Sequence, residues 1–166
     1  MTSPPPSAGP SVDLGLDQQL CLALYTASRA MTGRYRWTLA GLGLTYPQYL
    51  VMVLLWEDGP SSVSAIGQRL SLDSSTLSPL LKRLQATGLV TRTRATTDER
   101  LMIIDLTDRG RAMQEEASHV AGEICASTGL EMPDQLELTE ALRTLAVQLD
   151  AATRRASTTH SESSAI

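Results

Sequence analysis

Cys21, Tyr25, Ser28, Thr32 and Tyr35 follow one another at spacings of 4, 3, 4 and 3 residues, which lines side chains up on one face of an α-helix. The cysteine is the strong nucleophile of that stripe, and it attacks peroxides and disulfides as its thiolate. Its place in the first turns of a helix suits such a role, because unpartnered backbone N–H groups and the positive dipole end lie there. Phenolic O–H groups can donate hydrogen bonds to a thiolate. Tyr35 cannot do so within its own chain, since 14 residues at about 1.5 Å each separate the two by roughly 21 Å. An antiparallel copy of the helix across a dimer axis would bring Tyr35 of one subunit to Cys21 of the other. A plainer alternative is Cys21 as a small core hydrophobe beside ordinary interface aromatics.

The second cysteine, Cys125, is 104 positions further on, in the last turn of a helix before Gly129. That is the negative end of a dipole, better suited to a second partner in disulfide exchange than to a first attacker. With His119 and His160 as the only histidines, no closed tetrahedral metal site is expected. A Cys21–His119 catalytic pair finds no further support, and no cofactor is implied.

The elements that must position these residues are mainly helical. Asp17–Ala40 reads as a long helix with Leu20, Leu24, Ala27 and Met31 on one stripe. Gly41 and Gly43 break it, a second helix follows over Thr45–Trp56, and Asp58, Gly59 and Pro60 end that one. A short helix over Val63–Leu70 and another over Thr76–Leu84, started by the Ser71–Ser74 cluster and stopped at Gly88, form a helix-turn-helix. Pro79 lies close enough to the start to cost at most one backbone hydrogen bond. Leu89–Arg94 and Leu101–Thr107 are predicted strands of a two-stranded hairpin. A helix through Met113, Ala117, Val120 and Ile124 and a last one around Leu136–Leu149 complete the chain. The expected fold is therefore mainly α with a small β wing, a winged helix-turn-helix.

That order points to DNA. Ser74, Ser75, Thr76, Ser78, Lys82 and Arg83 face outward on the candidate recognition helix, and Arg92, Arg94 and Arg100 are carried by the wing, with Asp98 placed to steady Arg100 for a minor groove. A solvated hairpin tip is the alternative for Arg100. Net charge is −4, yet Ser62–Arg111 holds eight Lys/Arg against five Asp/Glu, a local excess of three, so positive charge is concentrated where phosphates would lie.

Residues 19–31 around Cys21, 44–50 (Leu-Thr-Tyr-Pro-Gln-Tyr-Leu), 72–84 through the recognition helix, and Asp98-Glu-Arg100 together resemble the MarR family of repressors. The resemblance is strongest to its organic-hydroperoxide-sensing (OhrR) branch and spans about Asp17 to Ala112. It implies an intertwined homodimer and a repressor that binds a pseudo-palindromic double-stranded DNA operator when Cys21 is reduced. An organic hydroperoxide would be the oxidant, and Tyr35 and Tyr46 of the partner subunit, with Tyr25 nearby, would support the thiolate. A second cysteine in the position of Cys125 resembles the two-cysteine type, in which it resolves the oxidised Cys21 between subunits. The controlled gene would be a neighbouring thiol peroxidase.

At 166 residues without Phe, one domain per subunit is expected. It would occupy 13–152, with 17–40 and 108–150 dimerising and 60–107 binding DNA, between disordered tails at 1–12 and 153–166. No run of about 20 apolar residues and no secretion signal is evident, so a cytoplasmic protein with no membrane part is expected. Two other functions compete: the same fold released by a reversible aromatic ligand, and an enzyme turning over peroxide at Cys21. The basic wing argues against the enzyme.

Overall fold

The computed structural model describes residues 15–95 and 101–163. A 3-10 turn at Leu16–Gln18 precedes α1 (Leu20–Thr38), and another at Ala40–Leu42 follows it. The predicted Asp17–Ala40 helix is thus shorter at both ends, because its termini tighten to i→i+3 hydrogen bonds. Helix α2 (Tyr46–Asp58) starts one residue inside the predicted span. Gln48 Oε1 accepts there from both the backbone N (2.8 Å) and the hydroxyl (3.0 Å) of Thr45, tying the helix start to the chain before it.

Strand β1 (Ser61–Ser62), α3 (Val63–Leu70), α4 (Ser74–Ala86), β2 (Val90–Arg94), β3 (Met102–Leu106) and α5 (Asp108–Glu116) follow. The sheet is three-stranded, in the order β1-β3-β2, all antiparallel, which adds a strand to the predicted two-stranded hairpin. Two serines carry no strand signal; they pair because the open edge of β3 offers Ile103 and Ile104 as partners. The helix-turn-helix matches its expected place. Its turn is tight enough that a Cβ on Gly67 would press on the Leu72 carbonyl at 2.9 Å, and Ser71 takes the left-handed conformation at φ 53°. Pro79 sits inside α4 without ending it.

Ile66, Leu77, Leu81, Leu84, Leu55, Met52, Val51 and Ile104 are buried, each such side chain stabilising by about 1.5–3 kcal/mol relative to exposure. Helix α1 buries none of its residues, leaving Leu20, Tyr25 and Trp37 in the open.

The chain divides into two compact units at Ser118/His119. The helix expected to run through Met113 and Ile124 is split at Ala117 into α5 and α6 (Ser118–Thr128); nothing in the local sequence signals this. Helix α7 covers Met132–Ser163, which corrects the predicted Leu136–Leu149 span and, over 153–163, the expectation of a disordered tail. After Pro133 the chain has neither Gly nor Pro to stop a helix. Thr153 and Ser157 donate back to the carbonyls of Leu149 (2.9 Å) and Thr153 (3.0 Å) instead of breaking the ladder. Leu136, Val147 and Leu149 are exposed on this helix. Among the described residues no helix is long and apolar enough to cross a membrane.

Candidate thiol site and nucleic-acid interface

Helix α1 begins at Leu20 with Gln19 as its N-cap, so Cys21 is its second residue, and its thiol is free and exposed. One turn on, Tyr25 is exposed and receives a 3.3 Å hydrogen bond from Arg29 Nη1, with the Arg29 guanidinium 5.6 Å from the ring centre. Arg29 is absent from the residues that the sequence singled out. Its spacing was the signal: Cys21, Tyr25 and Arg29 recur every four residues, and a long helical side chain leans toward the N-terminus, onto the residue one turn back.

At the far end of α1, half-buried Tyr35 packs against Tyr46 with ring centres 4.3 Å apart and planes tilted 35°. It also lies 6.0 Å from the buried ring of Tyr49, which meets Trp56 edge-on at 6.2 Å. Burial pushes the Tyr46 hydroxyl above its ordinary range. Burial, with Glu57 and Tyr46 nearby, does the same to Tyr49. Both therefore remain neutral O–H donors well beyond physiological pH. The structure thus joins Tyr35 to Tyr46 in one chain, while Cys21 and Tyr25 occupy the opposite end of α1.

In the second unit Cys125 is half-buried, one turn from the end of α6. Its carbonyl accepts from Thr128 Oγ1 (2.8 Å) and Gln135 Nε2 (3.1 Å). Gln135 Nε2 also donates to Thr128 Oγ1 and to the Leu130 carbonyl, which clamps the turn between α6 and α7 next to this cysteine.

Within the first unit, Asp73 caps α4: its Oδ1 accepts from Thr76 N (2.7 Å) and from Ser75 Oγ (2.6 Å). Those bonds, Ser75's first and Thr76's next, hold the Asp73 carboxyl below its ordinary range. Ser74, Ser75, Thr76, Lys82 and Arg83 are exposed along α4 and Ser78 is half-buried. The wing departs from expectation at Arg92. Arg94 is exposed, but Arg92 is half-buried with its Nε shielded from solvent, lining a groove of about 380 Å³ with Ser62, Ser64 and Met102. Asp98 and Arg100 lie outside the described residues.

The family model of the transcriptional regulator SarA/Rot matches residues 34–117. The organic hydroperoxide resistance transcriptional regulator of Bacillus subtilis (strain 168) is 44% identical over 130 residues, covering 78% of this chain and 88% of that protein. Among solved structures, reduced AbfR bound to DNA is 39% identical with a TM-score of 0.69, covering 81% of this chain and 94% of that one. The disulfide form of AbfR, a Staphylococcus epidermidis protein, is 39% identical with a TM-score of 0.57, covering 78% and 91%.

Proposed function

The chain belongs to the SarA/Rot family of transcriptional regulators, MarR-like winged-helix proteins, and from that footing we propose that it is a homodimeric redox-sensing repressor. With Cys21 reduced it holds a pseudo-palindromic operator, and an organic hydroperoxide releases it. The observation that carries this reading is a free, exposed thiol in the first turn of a helix that buries none of its own residues. A 19-residue helix left bare is a face that a second subunit would cover, and the hydroperoxide-resistance regulator and the reduced and disulfide forms of AbfR support what that thiol does. Residues 17–40 and the helices from 108 onward would form the dimer, and 60–107 would meet DNA. Serving as a cytoplasmic regulator, the protein would consume one hydroperoxide per switching event and would not turn it over as an enzyme.

In this mechanism the Cys21 thiolate attacks the peroxide oxygen bearing hydrogen, the O–O bond breaks, and the alkoxide departs with a proton as the alcohol. Cys21 becomes the sulfenic acid. The Cys125 thiol of the second subunit then attacks that sulfur, releasing water and leaving a disulfide. Tyr46, a donor that stays protonated, would face the thiolate from the partner together with Tyr35, and Tyr25 from beside it. Ser74, Ser75, Thr76, Ser78, Lys82, Arg83, Arg94, Asp98 and Arg100 would make the DNA contacts. Two recognition helices must lie about one DNA turn apart to enter successive major grooves, which makes their spacing the regulated quantity.

The test is a gel shift on DNA from upstream of the protein's own gene, with and without cumene hydroperoxide. Wild type is expected to release and Cys21→Ser to stay bound. On non-reducing gels the oxidised wild type runs as a dimer band that Cys125→Ser abolishes. Release of Cys21→Ser by the hydroperoxide defeats the thiol switch and leaves a reversibly bound ligand in its place.

A further inference from the structure

Beyond the thiol and its tyrosines, the aromatic rings of the first unit continue as a ladder. The ring centre of Tyr35 lies 4.3 Å from that of Tyr46 and 6.0 Å from that of Tyr49, the ring centres of Tyr49 and Trp56 are 6.2 Å apart, and Trp56 Nε1 donates a 2.9 Å hydrogen bond to the Gly110 carbonyl. Tyr49 and Trp56 are seven residues apart, two turns of α2, so they share a face. Gly110 lies in the first turn of α5, at a crossing of three elements. Thr107 Oγ1 accepts from Gly110 N (3.0 Å) and donates to the Gly88 carbonyl just past α4 (2.7 Å). Thr107 N donates to the Leu89 carbonyl at the base of β2 (3.0 Å). Arg109 Nη1 donates to the Thr87 carbonyl at the end of α4 (2.9 Å). A Cβ on Gly110 would overlap the Leu89 carbonyl oxygen.

We propose that Trp56 is a positioning residue that couples the tyrosine pair to the DNA-reading element, carrying displacement of Tyr35 and Tyr46 through Tyr49 to the Gly110 junction. The proposal rests on the redox-repressor reading above. Close-packed rings do not shift independently, because opening a gap between them forfeits their dispersion energy. The indole adds direction at the end of the ladder: it is rigid, and its single N–H is committed to one carbonyl. The junction it reaches joins α5 to the end of α4 and the start of the wing, whose mutual angle sets where the recognition helix lies. Coupling of this kind is a difference between two states, so its loss shows in the response to oxidation and not in the reduced protein.

The full-length protein is compared as wild type and Trp56→Phe, which keeps a ring and removes the N–H. Three quantities are read: the rate of Cys21 loss with cumene hydroperoxide, and the Kd for the upstream DNA by fluorescence anisotropy before and after oxidation. Trp56→Phe is expected to keep the wild-type oxidation rate and reduced-state Kd, while the oxidised-to-reduced Kd ratio shrinks about five- to tenfold, the factor one hydrogen bond carries. Tyr49→Leu, which interrupts the ladder and leaves the indole bond in place, should shrink the ratio as well. An unchanged ratio overturns the proposal. So does a Trp56→Phe protein that loses reduced-state affinity and thermal stability together, since Trp56 is then a brace. Wild type that keeps its DNA after oxidation defeats the redox reading itself, an outcome distinct from wild type switching normally alongside a normally switching variant.

Discussion

Tyr35 and Tyr46 stack with ring centres 4.3 Å apart, although one closes α1 and the other opens α2. The 3-10 turn at Ala40–Leu42 and the Thr45–Gln48 capping pair between them bring the two rings together within one chain. In a dimer built on α1 they would therefore reach the same thiol of the opposite subunit as a pair.

It follows that Tyr35→Phe and Tyr46→Phe should each slow oxidation of Cys21 by about tenfold, the worth of one hydrogen bond to a charged acceptor. Stopped-flow oxidation with cumene hydroperoxide measures it. In a heterodimer that keeps one Cys21, a Phe at position 35 should slow that thiol only when carried by the opposite chain. Slowing from the same chain would contradict the cross-subunit arrangement.

Lys82 and Arg83 are exposed on α4, so Lys82→Ala and Arg83→Ala should weaken operator binding without unfolding the protein. For each phosphate that the variant no longer neutralises, the slope of log affinity against log salt should flatten by about 0.9. A titration from low to physiological salt reads the slope, and an unchanged slope for both would place α4 away from the phosphates.

Asp73 titrates lower in the folded chain than its ordinary value of 3.8 because Ser75 and Thr76 hydrogen-bond its charged form. A depressed carboxylate contributes stability that is present above the unfolded value and is lost as pH falls through the folded one. Thermal melts of wild type should therefore drop below about pH 4 more steeply than those of Asp73→Asn, which keeps a capping oxygen but cannot ionise. Parallel curves would mean that the cap bonds do not depend on the charge.

Any side chain at position 110 meets the Leu89 carbonyl. Gly110→Ala should lower Tm by roughly 5–10 °C, an overpacking penalty of about 2 kcal/mol or more in a chain of this size. Reduced-state DNA affinity should fall with it, because the same junction anchors the wing. Equal Tm values by differential scanning calorimetry would show that α5 can move away without cost.

The helix-turn-helix and the strands after it could be read from the sequence because their signals are local. Asp73 as a cap, the Leu77–Leu81–Leu84 spacing and the β-branched run to Ile104 each act within a few residues. The helical stripe holding Cys21, Tyr25 and Tyr35 is legible for the same reason, and the four-residue step from Cys21 to Tyr25 reaches Arg29 when taken once more. Tertiary structure decided the remainder. Ser61 and Ser62 become a strand only because β3 lies beside them, and no propensity of serine foretells that. Arg92 sinks into a groove whose other wall comes from the start of α3, at Ser62 and Ser64, far back along the chain. Trp56 finds its acceptor 54 positions away at Gly110, a bond that exists because α2 and α5 pack together. Such contacts depend on the free energy of packing whole elements against each other, which no short window of residues contains.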